Sequence, residues 1–164
     1  MGLKLPALVK YDQFTSDEEF LNTLYEYFKQ DFLLTKPKYK GQELRLKRIP
    51  IRDGREATFY HITTTGKDED NRTLDIPRAE RIRWIKPIIE ATDKTLLIWE
   101  NTRKKEENIL IYHEKENFLI VLRKRTNGLM FWTSFYTSEC YKKSLLAEYA
   151  KYHKKLKTPF LQRT

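Results

Sequence analysis

One imidazole, several alcohols and a run of guanidinium groups are the side chains of this chain best suited to chemistry. His61 lies in FYHITTTG (59–66), a β-prone stretch that closes on three threonines and a glycine. Alternation along a strand would set Ala57, Phe59 and His61 on one face, with Tyr60 and Ile62 on the other. A lone histidine on a strand is commonly a packing residue. Here the Thr/Gly loop favours an open, hydrogen-bonding strand end, where a pKa of about 6.5 suits proton transfer in either direction. Arg78 and Arg81 lie three apart in DIPRAERIRWI and share one side of a helix, while Arg83 points elsewhere. A guanidinium binds phosphate through two parallel hydrogen bonds and stays charged. The competing use of these arginines is pairing with Asp75, Glu80 and the acidic loop, and Arg72 can turn either to the loop or to a cleft. LMFWTSFYT adds the hydroxyls of Thr133, Ser134, Tyr136 and Thr137. Thr133 or Ser134 can hold a phosphate or bond locally, and Tyr136 can stack a base. Arg123 and Lys124 reach opposite faces of the preceding strand, so at most one enters a single cleft. A histidine, alcohols and guanidiniums, without a thiol pair or carboxylate cluster, suit work on a phosphodiester.

These groups need elements to hold them. Thr15 or Ser16 can cap a first helix, with Asp17, Glu18 and Glu19 at its positive end and Phe20, Leu21, Leu24, Tyr25 and Phe28 as its apolar stripe. It ends near Leu34, ahead of Pro37 and Gly41. From Leu44 the period shifts to two. LRLKRIPI predicts a strand, residues 52–55 a turn, and Glu56 to Thr64 its partner, with Pro50 marking an edge. Asp75 and Pro77 open a short helix over 76–86, which Pro87 stops or kinks. TLLIWEN, ENILIYHE, NFLIVLRKR and LMFWTSFYT read as strands joined by charged turns and by Asn127-Gly128. Several are apolar on both sides of the alternation, so both sheet faces are expected to be covered. In the last strand, Leu129, Phe131, Thr133 and Phe135 should share one face, and Met130, Trp132, Ser134 and Tyr136 the other. Ser138 caps a terminal helix over 138–157, with Tyr141, Leu145, Leu146 and Tyr149 inward. The order predicts an α+β fold in a single domain over 1–164. A helical segment at 1–42 leads into a four- to six-stranded antiparallel sheet core at 43–137, with N-terminal, middle and C-terminal helices packed on it.

Composition narrows the classes. At 164 residues and 13% aromatic, the chain can bury a core and is not of the disordered type. Cys140 is the only cysteine, which excludes an intrachain disulfide and a thiolate zinc site and fits a reducing, cytoplasmic setting; a small buried apolar role is expected for it. No apolar run is long enough to span a membrane, the N-terminal decapeptide is too weak for a secretory signal, and Ala7 disfavours myristoylation of Gly2. The net charge of +9 is uneven: residues 102–138 carry 7 basic against 4 acidic residues, and 139–164 carry 7 against 2. That basic C-terminal third suits a polyanion, or simply a solubilising helix. No P-loop, dinucleotide fingerprint or calcium-loop spacing is present, so no cofactor or metal is expected. His113, at a strand end, is a weak candidate for a second acid–base group, and His153 is expected to be solvated among lysines.

Two stretches, FYHITTTG leading into RTLDIPRAERIRWIKPIIE and NFLIVLRKRTNGLMFWTSFYT, resemble the barnase–EndoU–colicin–RelE superfamily of small ribonucleases, in particular its phage and mobile-element branches. The likeness spans roughly residues 56–137 and leaves out both terminal helices. It implies helices on a four-stranded antiparallel sheet and metal-independent RNA cleavage to a 2′,3′-cyclic phosphate and a 5′-hydroxyl. By position it makes His61 the acid or base, Arg78 or Arg81 the phosphate ligand, and Thr133 or Ser134 the group that orients the phosphate. EndoU-type sites add a second histidine and a lysine, and barnase-type sites a glutamate base, for which no position here stands out. The resulting expectation is a cytoplasmic endoribonuclease, a toxin or phage effector restrained by an inhibitor or antitoxin protein. Competing with it are a non-catalytic nucleic-acid-binding protein that uses the basic third, and an adaptor that binds protein through its aromatic surface.

Overall fold

Local signals build the first helix. A computed structural model describes residues 2–157. In helix α1 (Asp17–Phe28) the Ser16 hydroxyl accepts from the Glu19 amide at 3.1 Å, and the Glu19 carboxylate accepts from the Thr15 amide at 2.9 Å. This reciprocal pair satisfies donors that the first turn leaves unpaired. Phe20, Leu24, Phe28 and Phe32 are fully buried. A repeated spacing of four overshoots the 3.6-residue turn, and the wider i→i+5 turns of Lys29–Leu34 take up the excess, so Phe32 stacks on Phe28 at 5.0 Å.

A two-residue ladder of β1 (Lys38–Tyr39) and β2 (Gln42–Glu43) follows. The strand expected from Leu44 is reduced to an extended run in which Arg45 alone is bridged to the large sheet, at Met130. Its predicted partner is helix α2 (Ala57–Thr63), not a strand. The β-branched and aromatic residues there are overruled by tertiary bonding: the Ala57 and Thr58 amides donate to the carbonyls of Arg48 (3.1 Å) and Lys47 (2.9 Å), which cap the first turn. Phe59 and Ile62, three apart, are buried in the main core, where Phe59 packs edge-on against Tyr25 and Phe28. Thr63 and Thr64 close the helix by donating back to the carbonyls of Phe59 (2.9 Å) and Tyr60 (2.6 Å).

Next come β3 (Thr64–Thr65) and β4 (Thr73–Leu74), paired antiparallel around the acidic loop. The middle helix is broken into α3 (Ile76–Ala79), capped by Asp75, a single 3₁₀ turn at Ile82–Trp84, and α4 (Ile85–Glu90). Pro87 neither stops nor kinks it. It occupies the first turn of α4, where its missing N–H is not needed.

The main sheet is the antiparallel meander β5 (Leu97–Arg103), β6 (Glu106–His113), β7 (Phe118–Arg125) and β8 (Gly128–Tyr136), in that spatial order. Both faces are covered. Ile109, Ile111, Phe118, Ile120, Leu122 and Phe131 pack with α1, α2 and α4, whereas Trp99, Leu110, Tyr112 and Leu119 pack under α5 (Glu139–Lys157) through Leu145 and its neighbours Tyr141, Leu146 and Tyr149. The chain is thus α+β, built on a four-stranded sheet with two small ladders beside it. Among the described residues no helix is long and apolar enough to cross a membrane.

Strict alternation fails in β8. Leu122 faces Phe131 while Val121 faces Thr133, so Trp132 is the extra residue of a bulge. Phe131 therefore enters the main core, and Thr133 and Phe135 lie on the opposite, α5 side rather than sharing its face as the alternation predicted. Two further expectations change. His153 is not solvated: its Nε2 lies 3.0 Å from the Ile98 carbonyl. Cys140, expected to be buried, is exposed in the first turn of α5. Arg163, counted in the basic third, lies outside the described residues.

Candidate functional site

His61 sits in the last turn of α2, half-buried beside a small cleft of about 80 Å³. Its walls include Lys47 and Arg52 of the extended run, Tyr60 of α2, Glu69 of the acidic loop and Trp132 of the bulge. The imidazole and indole centroids are 6.5 Å apart and tilted by 54°. Among the described residues no protein group hydrogen-bonds either ring nitrogen. Burial, then the positive charges of Arg72, Arg78 and Lys47, press its pKa from 6.5 down to about 4, against a smaller opposing pull from Glu69. At neutral pH the ring is therefore uncharged, and both nitrogens are open to a ligand.

The two nearest guanidiniums are committed to the fold. Arg72 donates to the Thr64 hydroxyl (2.9 Å) and to the carbonyls of Thr64 (2.6 Å), Gly66 (2.7 Å) and His61 (3.3 Å), which locks the acidic loop to the end of α2. Arg78, 7% exposed, donates from Nε to the Ser134 carbonyl (2.5 Å), from Nη1 to the Thr64 carbonyl (2.7 Å) and from Nη2 to the Thr133 hydroxyl. One of those bonds takes a backbone acceptor of edge strand β8 beyond the stretch that Arg45 pairs, and together they tie β8 to the end of α2. Burial lowers the Arg78 pKa to about 10 with Asp75 opposing, so the group remains a cation at neutral pH. Both arginines act on His61 as fixed positive charge rather than as ligands waiting for phosphate.

Of the residues singled out by chemistry, the fold gathers His61, Arg72, Arg78 and Thr133 into one neighbourhood. Arg123 joins through the bulge: its guanidinium lies 3.7 Å from the Trp132 ring centre and its Nε donates to Asn108 at 3.0 Å. Lys124 points away and pairs with Glu100. Ser134 offers its carbonyl to Arg78, but its hydroxyl is buried without a partner. Arg81 stacks on Tyr136 at 4.3 Å and on Trp84 at 5.2 Å, and it makes no contact with the His61 ring. Thr137 closes the end of the sheet against Tyr112 at 2.9 Å, and His113 Nδ1 accepts from the Glu116 amide at 3.3 Å in the turn after β6.

Lys47, Arg52, Tyr60, Glu69 and Trp132 were not apparent from the chain alone. The basic run at 45–55 was a usable signal, hidden because the acidic loop balances it in any count by segment. Trp132 had none, since a bulge is a property of two strands. Among the described residues no group of three or more His, Cys, Asp or Glu side chains converges. The site combines a neutral imidazole, Lys47 and Arg52 at the wall, the fixed cations Arg72 and Arg78 behind, aromatic sides, and two carboxylates that offset part of this charge: Glu69 in the wall and Asp70, which accepts from Arg52 at 3.0 Å. No protein-family model matches this chain, no curated protein does, and no solved structure does.

Proposed function

We propose that this protein is a metal-independent endoribonuclease that uses the ribose 2′-hydroxyl as nucleophile. The observation that carries the reading is the His61 ring: uncharged, with both nitrogens unclaimed, and facing a cleft lined by Lys47 and Arg52. His61 takes the 2′-hydroxyl proton as general base. The 2′-oxygen then bonds to phosphorus and the bond to the 5′-oxygen breaks, leaving a 2′,3′-cyclic phosphate; the departing oxygen takes its proton from solvent. Lys47 and Arg52 offset the charge that builds on the phosphorane. An anionic phosphate at the ring opposes the repulsion from Arg72 and Arg78, so the imidazole becomes a stronger base when substrate is bound. Thr133 serves indirectly by holding Arg78, and Arg123, Arg81 and Tyr136 lie where a longer RNA could be followed along β8.

A mixed RNA pool incubated in EDTA tests this. Expected are fragments ending in 2′,3′-cyclic phosphate, lost in His61→Ala with the melting temperature retained, and growth arrest on expression of the wild type only. Cleavage that requires a divalent ion, or that survives in His61→Ala, would refute it.

One observation favours a second reading. Because the donors of Arg72 and Arg78 are taken by protein acceptors and Arg52 pairs with Asp70 at 3.0 Å, the cleft can hold a polyanion without a free guanidinium to drive chemistry on it. That non-catalytic binder would show steeply salt-dependent nucleic-acid binding, no cleavage, and indifference to His61→Ala.

A further inference from the structure

The cleft is walled by two aromatic rings, and each carries a guanidinium. Arg52 Cζ lies 4.7 Å from the Tyr60 ring centre, and Arg123 Cζ 3.7 Å from that of Trp132, with Arg125 at 5.8 Å from the same indole. Proton transfer at His61 needs none of this. Trp132 belongs to neither core cluster, and its half-buried indole forgoes part of the apolar burial that the other two tryptophans obtain. The bulge that makes it the extra residue also turns it toward His61. About 80 Å³ of space lies between these walls. That is far below the roughly 300 Å³ at which drug-sized pockets begin, so one planar group fits and a stacked base pair does not. Aromatic walls edged by cations match a base flanked by phosphates, and a duplex cannot present a base this way without unstacking it.

Resting on the ribonuclease reading for its phosphodiester, we propose that the cleft takes one unstacked nucleobase of a single-stranded RNA. Trp132 and Tyr60 hold that base beside the phosphate facing His61, which makes Trp132 a specificity-determining residue and single-stranded segments the substrate class. Short 2′-fluoro RNA, which lacks the attacking hydroxyl, allows binding to be read without cleavage, by anisotropy and by quenching of tryptophan emission. Expected is single-strand affinity at least about tenfold above that for the same sequence in a duplex. Trp132→Leu should weaken single-strand binding about 5- to 150-fold and Trp132→Phe should restore most of it. If Trp132→Leu fails to fold, Tyr60→Leu against Tyr60→Phe makes the same comparison. Equal affinity for single strand and duplex, or single-strand binding unmoved by loss of the ring, overturns the proposal. Selective binding without cleavage of natural RNA sinks the ribonuclease reading and leaves this one standing; cleavage with ring-insensitive binding does the reverse.

Discussion

Two histidines of this chain occupy similar surroundings and differ in one respect. His153 on α5 is half-buried between Tyr149 at 4.3 Å and Tyr152 at 5.2 Å, and its Nε2 meets the Ile98 carbonyl at 3.0 Å. His61 on α2 is half-buried against Trp132 at 6.5 Å, and neither ring nitrogen meets a protein partner. Burial and aromatic company do not tell them apart. Whether the polar atoms are already spent does: His153 is a strut tying α5 to β5, whereas His61 keeps its hydrogen-bonding capacity for something outside the fold. The same distinction separates the cations. Arg78 surrenders its guanidinium to Ser134, Thr64 and Thr133, while Lys47 lines the cleft; Arg52 stands between them, lining the cleft with its Nη2 donating to Asp70 at 3.0 Å.

The contrast can be broken most sharply by paired substitutions. His61→Ala should cut RNA cleavage about 10²- to 10⁴-fold, the usual worth of a general base, with the unfolding midpoint held. His153→Ala should leave cleavage alone and lower stability by about 1 kcal/mol or somewhat more through the lost hydrogen bond. A reversal of those two outcomes in cleavage and urea-melt assays would remove the distinction. Arg78→Ala comes next. It strips donors from three acceptors at a buried edge and should cost about 3 kcal/mol or more of unfolding free energy; a surface-like loss under about 1 kcal/mol would mean the clamp is ornamental.

A pH series sharpens the His61 half. With its pKa lowered from 6.5 to about 4, the unfolded chain holds a proton there that the folded chain does not between those values. Stability should therefore fall as pH drops from 6.5 toward about 4 and level off below, and His61→Gln should flatten that portion of the curve. The acid limb of kcat/KM should report the same low value. The smallest effect is expected at Ser134, whose hydroxyl has no partner: Ser134→Ala should shift stability by no more than about 0.5 kcal/mol. Thr133→Val, one residue earlier, should cost about 1 kcal/mol by removing an acceptor from Arg78.

Legibility followed the range of the forces involved. A cap at Thr15 or Ser16, the Phe20–Leu24–Phe28 stripe, the Asp75 cap and the four strands of the meander were all readable, because each depends on neighbours within a turn or on a period of two. FYHITTTG was not. Its residues favour a strand, yet the Lys47 and Arg48 carbonyls accept the amides of a first helical turn, and Tyr25 and Phe28 close over its Phe59. His61 consequently reaches its cleft from a helix end. The face assignment of β8 failed for a related reason: one residue inserted opposite β7 changes which side Phe131 and Thr133 take.

Residue order alone was sufficient for the α+β class, the caps, the covered sheet and the short roll of candidates that includes His61, Arg78 and Thr133. Three-dimensional packing had to decide which guanidiniums are bound into the fold, which cations line the cleft and where Trp132 points. Hydrogen-bond commitments and strand register arise between segments tens of residues apart, and no local pattern along the chain encodes them.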